Sequence, residues 1–134
     1  MSRSWPAAIP DAAADIAALA HRLRAHAAGL PAETAAVDLL IGHRHRLTRP
    51  GFAARFVHPV TSGGRHMGAW IDWAAAVAAL DRGDLPCSAS EATMLRIAAS
   101  LAADLPVALR DALGGLDTTN IAAVTAAITA ANGT

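Results

Sequence analysis

Apolar residues recur along this chain at three- and four-residue steps, interrupted by proline, glycine and capping polar residues, and the pattern predicts a succession of short helices. Asp11 reads as an N-cap; Ile16, Leu19 and Leu23 then line one face until Gly29, which predicts a first helix near 12–28. Pro31 separates it from a second, 32–47, whose apolar face is Val37, Leu40, Ile41 and Leu47, with Arg44 at its edge and Gly42 as an interior weak point. Pro50 opens a short helix to about Val57, in which Phe52 and Phe56 stack at i and i+4.

The next stretch changes period. His58-Pro59 and Gly63-Gly64 mark a turn, and the flanking pieces are candidates for one small β-hairpin near 55–71, with Pro59 arguing against a central strand. Asp72 then caps a helix with Trp73, Val77 and Leu80 along its seam, which Trp70 can extend backwards, ending near Gly83. Ser88 and Glu91 form a capping box ahead of a helix carrying Met94, Ile97, Ala98 and Leu101. Pro106 is expected to start a short helix to Leu113, Gly114-Gly115 to stop it, and Asp117 to cap a last helix with Ile121, Val124 and Ile128 inward. The expected fold is all-α: a single helical domain over 1–134 of about six to seven helices, with residues 1–10 a flexible tail and a helix-turn-helix-like C-terminal third.

Composition sharpens this. Thirty-six alanines favour thin, closely packed helices, while the absence of lysine and tyrosine removes Schiff-base, phosphate-loop-lysine and tyrosine chemistry. The lone Cys87 cannot form an internal disulfide, so a reducing, cytoplasmic setting is expected. Pro6 and Pro10 interrupt the N-terminal stretch and Asp11 and Asp15 follow before any apolar run, so no signal peptide is expected. No stretch is long and uncharged enough for a membrane span, and no membrane partner is expected.

The net charge of zero conceals a segregation. Residues 39–71 carry five arginines and no acid (+5), residues 1–38 three arginines and four acids (−1), and residues 72–134 three arginines and seven acids (−4). Arg44, Arg46, Arg49, Arg55 and Arg65, with His43 and His45, make 43–66 a candidate anion- or partner-binding segment, with Phe52 and Trp70 as apolar anchors. Its histidines, His58 and His66 included, would add charge on mild acidification. The partner this implies is a protein with an acidic surface; nucleic acid is the other polyanion it could take. The competing reading is that these arginines pair internally with Asp72, Asp81, Asp84 or Glu91 of the acidic half.

Catalytic and metal signatures are weak. His43 and His45 point about 200° apart on a helix and cannot share an ion, and His58, His66 and Cys87 have no recognised ligand spacing. Cys87 precedes a helix N-terminus without a histidine placed beside it. No enzyme activity, cofactor or metal is expected. Residues 106–131 outline a helix, glycine turn and helix like the core of winged-helix DNA-binding domains, which supplies the alternative of a nucleic-acid-binding regulator. That reading helix offers Thr118, Thr119, Asn120, Thr125 and Thr129 but no arginine, and Asp111 and Asp117 lie where phosphates would approach. Residues 118–131 also carry alanine tracks, Ala122-Ala126-Ala130 and Ala123-Ala127-Ala131, open to two readings: a homodimer seam, or packing on the Met94–Leu101 helix.

The stretches Ile71-Asp-Trp73, Leu85-Pro-Cys-Ser88, Leu95–Leu101, Pro106–Leu113 and Leu116–Asn120, with the lysine-free composition, resemble a group of small proteins of high-GC actinobacteria over about residues 40–132. The resemblance implies a bacterial cytosolic setting and carries no activity and no site.

Overall fold

The computed structural model describes residues 12–43 and 50–133. Within them the chain is mostly helical with one antiparallel hairpin, as the periodicity predicts. Helix α1 (Ala12–Ala27) ends at Gly29, whose φ of 87° suits a residue without a Cβ, and the hydroxyl of Thr34 donates to Ala27 O at 2.8 Å to join it to the next helix. Helix α2 (Pro31–His43) is the centre of the fold, buried at Ala35, Ala36, Val37, Leu39 and Leu40. Burial on so much of its circumference follows from its neighbours: α1, α5 and α7 all pack on it, and its alanines admit them closely. Residues 44–49, the predicted far end of this helix with Leu47, lie outside the described residues.

Helix α3 (Pro50–Phe56) leads directly into β1 (Val57–Ser62), which Gly63 and Gly64 turn back into β2 (Arg65–Ile71). Both glycines have positive φ (58° and 80°), as a two-residue hairpin turn matched to strand twist requires. The register pairs Val57 with Ile71 and His58 with Trp70, and the Asp72 N–H donates to Phe56 O at 2.8 Å. By antiparallel alternation Phe56, His58 and Val60 then direct their backbone groups to β2, and Pro59 turns its missing N–H to the open edge. A register shift between Val60 and Thr61 ends the regular ladder.

Helix α4 (Trp73–Asp81) is capped by Asp72, whose Oδ1 accepts from the Ala75 N–H at 3.1 Å. Its buried face is Trp73, Ala76 and Ala79, while Val77 and Leu80 sit at the core margin. Helix α5 (Ala89–Ala103) begins in the full capping box: Ser88 Oγ accepts from the Glu91 N–H (3.2 Å) and Glu91 Oε1 from the Ser88 N–H (2.7 Å). Its buried stripe adds Leu95 and Ala99 to the expected Met94, Ile97 and Ala98.

Two local expectations are corrected. The short helix does not start at Pro106: residues 104–108 are non-helical and α6 is Leu109–Gly114. Leu105 and Val107 alternate with exposed Pro106 and Ala108 and pack on the core, which favours an extended path until Ala108. In α7 (Thr118–Ala131), capped by Asp117 Oδ1 on the Asn120 N–H (2.8 Å), the inward residues are Val124 and Ala127, and Ile128 is 50% exposed. Close approach to α2 selects the small Ala127, and Ile128, one position on, swings to the outside. A continuous buried cluster joins Leu23 and Ala27 of α1, the α2 core, Phe52, Phe56, Ala69, Ile71 and Val124.

Candidate partner-binding face

The candidate segment starts at the last residue of α2 and ends in the hairpin. His43 closes α2, and Arg44, His45, Arg46 and Arg49 lie outside the described residues. Arg55 and Arg65 are described, and both are exposed. The Arg55 guanidinium lies 4.7 Å from the centre of the Phe56 ring, so its charge stays in water while its stem covers an apolar edge. Arg65 sits at the tip of the hairpin, paired in register with Ser62.

Phe52 is not an anchor. It is 1% exposed and stacks on Phe56 with ring centres 5.4 Å apart, and both rings join the buried cluster. Trp70 lies at the surface: it is 41% exposed and its indole lies 4.8 Å from the His58 imidazole, at an interplanar angle of 35°. Met67, at 57% exposure, adds apolar surface to the same hairpin.

Among the described residues, the ion pairs of Asp38, Asp81 and Asp84 are made with arginines outside the basic segment. Asp81 is engaged by Arg96 at 2.6 Å and Asp84 by Arg82 at 2.9 Å, both within the acidic half, and Asp38 by Arg24 at 2.9 Å across α1 and α2. Asp72 and Asp117 hold helix N-termini. Among the described residues neither Arg55 nor Arg65 has a carboxylate partner.

One contact was not readable from the sequence. A Cβ on Gly68 would stand 3.2 Å from Arg22 O and 3.4 Å from His26 Cβ, so this turn of α1 lies directly on β2. Gly68 pairs with Val60 next to the register shift and has a φ of 152°, a backbone that suits a residue without a Cβ. A lone glycine carries no periodic signal, and the two segments are too far apart in sequence for pattern reading to join them.

The helix-turn-helix outline presents Thr118, Thr119, Thr125 and Thr129 to solvent. The Thr125 hydroxyl donates to Ile121 O (2.9 Å) and the Thr129 hydroxyl to Thr125 O (3.1 Å), so both donors are used inside α7. The alanine tracks of 118–131 meet chiefly α2, with α5 a lesser neighbour: Ala127 is buried, and Ala123, Ala126 and Ala130 line a shallow groove of about 300 Å³ with Ala35, Leu39 and Gly42. Cys87 is half-buried in the loop before α5. Among the described residues no three His, Cys, Asp or Glu side chains gather as a metal site, and no helix is long and apolar enough to cross a membrane. Comparison with protein-family models, with curated proteins and with solved structures finds no match.

Proposed function

We propose that this chain is a non-enzymatic helical interaction module that presents the basic segment of residues 43–66 to an anionic partner. The observation that carries the reading is the unequal fate of the charges. Carboxylates of the acidic half are held by Arg82 and Arg96 of that same half, and Arg55 and Arg65 stand exposed without a carboxylate partner among the described residues. Exposed arginines in an acid-free stretch give a surface that attracts carboxylates or phosphates and offers each a planar fork of donors. Arg44, Arg46, Arg49 and His45 belong to the same stretch by sequence. The reading places the module in a reducing cytosol, with the single Cys87 as its support.

The test is titration of the full chain with an acidic peptide and with duplex DNA at low and high salt. Binding to either that weakens as salt rises supports the reading; binding to neither at low salt sinks it. Docking of residues 106–131 in a DNA groove has less support, since two of its threonine hydroxyls are committed to backbone carbonyls and Asp117 stands at the entry of α7.

A further inference from the structure

Helix α6 (Leu109–Gly114) stands apart from the packing of the rest of the fold. Every other helix among the described residues lies along at least one neighbouring element, and α6 lies along none. Of its residues only Ala112 is buried, while Leu109 and Leu113, one turn apart on the same face, are 47% and 38% exposed. Six residues are too few for a helix to hold itself together in water. Its start is also bare: Ala108 stands at the N-cap and supplies no side-chain acceptor, unlike Asp72, Ser88 and Asp117 at the starts of α4, α5 and α7. At its end the turn bonds, Gly115 N–H to Ala112 O and Leu116 N–H to Leu113 O, are both long at 3.3 Å.

The flanks of this helix are suited to hinge. Asp104, the residue after α5, has φ 58° and ψ 31°, a left-handed conformation unfavourable to any residue with a Cβ, and its carboxylate follows the negative end of the α5 dipole. Gly114-Gly115 closes the other side, a pair that gains the most backbone freedom when released. Between these points only Leu105, Val107, Ala112 and Leu116 hold the segment to the core, three of them partly buried and the fourth an alanine. We propose that residues 104–116 form a strap that opens as one unit while α2, α5 and the hairpin stay folded, uncovering the apolar seat of those four side chains. Opening gives up few apolar contacts against the long buried stripes of α2 and α5, so its free energy lies well below that of global unfolding. Such a motion needs no anionic partner and goes beyond the reading above: it gives the domain a second state with apolar surface exposed on its C-terminal half.

The experiment is amide hydrogen exchange of the full chain, read residue by residue by NMR at several urea concentrations below the unfolding transition. Amides of residues 112–116 are expected to be at least about a hundredfold less protected than those of α2, with a weaker dependence on urea. Ala108→Asp supplies the missing cap and slows exchange of the strap about fivefold, whereas Ala112→Gly speeds it about fivefold or more. Phe52→Leu, in the core and outside the strap, lowers the protection of α2 and leaves the strap rate unchanged, because local opening does not pass through the unfolded chain. If that variant does not fold, the comparison of strap and α2 in the parent chain decides alone. Strap amides as protected as those of α2, or losing protection in step with α2 in Phe52→Leu, would show that the segment opens only with the whole fold and would overturn the proposal. A strap rate indifferent to both Ala108→Asp and Ala112→Gly would overturn it as well.

Discussion

Gly68 lies so close beneath α1 that a methyl group in its place would stand 3.2 Å from the carbonyl oxygen of Arg22. The obstacle is backbone rather than a movable side-chain end, and the φ of 152° at Gly68 is itself one that L side chains rarely adopt. Gly68→Ala therefore costs about 1–3 kcal/mol and loosens α1 from the hairpin. Gly42→Ala is the contrasting case, with nothing within 4 Å of the added methyl in α2 and an expected gain of about 0.5–1 kcal/mol. Urea unfolding of the two variants beside the parent chain measures both; equal effects would refute the argument.

Phe52 and Trp70 separate core from surface. Phe52→Ala removes a ring that is 1% exposed and costs about 3–5 kcal/mol, whereas Trp70→Ala removes one already in contact with water and costs less. If the second substitution proved the more damaging, Trp70 would have to be counted as a core residue and the face described here would lose its anchor.

The capping box ahead of α5 makes a local prediction. Ser88→Ala deletes the oxygen that accepts from the Glu91 N–H and lowers stability by about 1 kcal/mol, and Ser88→Asp or Ser88→Thr retains most of it. Denaturation midpoints across these three variants decide the matter, since loss of the hydroxyl alone should produce the drop.

Arg24 and Asp38 tie α1 to α2 at 2.9 Å, with both side chains about half exposed. A double-mutant cycle to alanine should return a coupling of about 0.2–1 kcal/mol that shrinks as salt is added. A larger, salt-insensitive coupling would show that the pair is shielded from solvent more than its exposure implies.

Much of the architecture was legible because its determinants are local. Asp72, Ser88 with Glu91, and Asp117 each announce a helix start through a side chain that bonds a backbone N–H three residues on, and Gly63-Gly64 announces the hairpin through dihedrals that other residues resist. The misreadings share a cause as well. Phe52 and Phe56 at helical spacing say only that they share a face, and whether that face meets a partner or the core depends on what α3 packs against. Hydrophobicity alone predicts Ile128 inward, yet in a helix of alanines the seam goes where the neighbour can come closest, and Ala127 permits that. The contact of α1 with β2 was illegible for a further reason: it exists only because a residue with no side chain stands between the two elements.

Pro59 bears on how the hairpin can be used. A sheet of two strands has an open edge on each, and an open edge ordinarily invites a third strand from another chain. On β1 that invitation is withdrawn, because the proline offers no donor where an incoming strand would need one, and the irregularity at Val60 and Thr61 spoils the register beyond it. Recognition by backbone pairing along this edge is closed off, and with it the commonest route by which a small exposed hairpin aggregates. Along β1, whatever the hairpin takes hold of must be held by side chains.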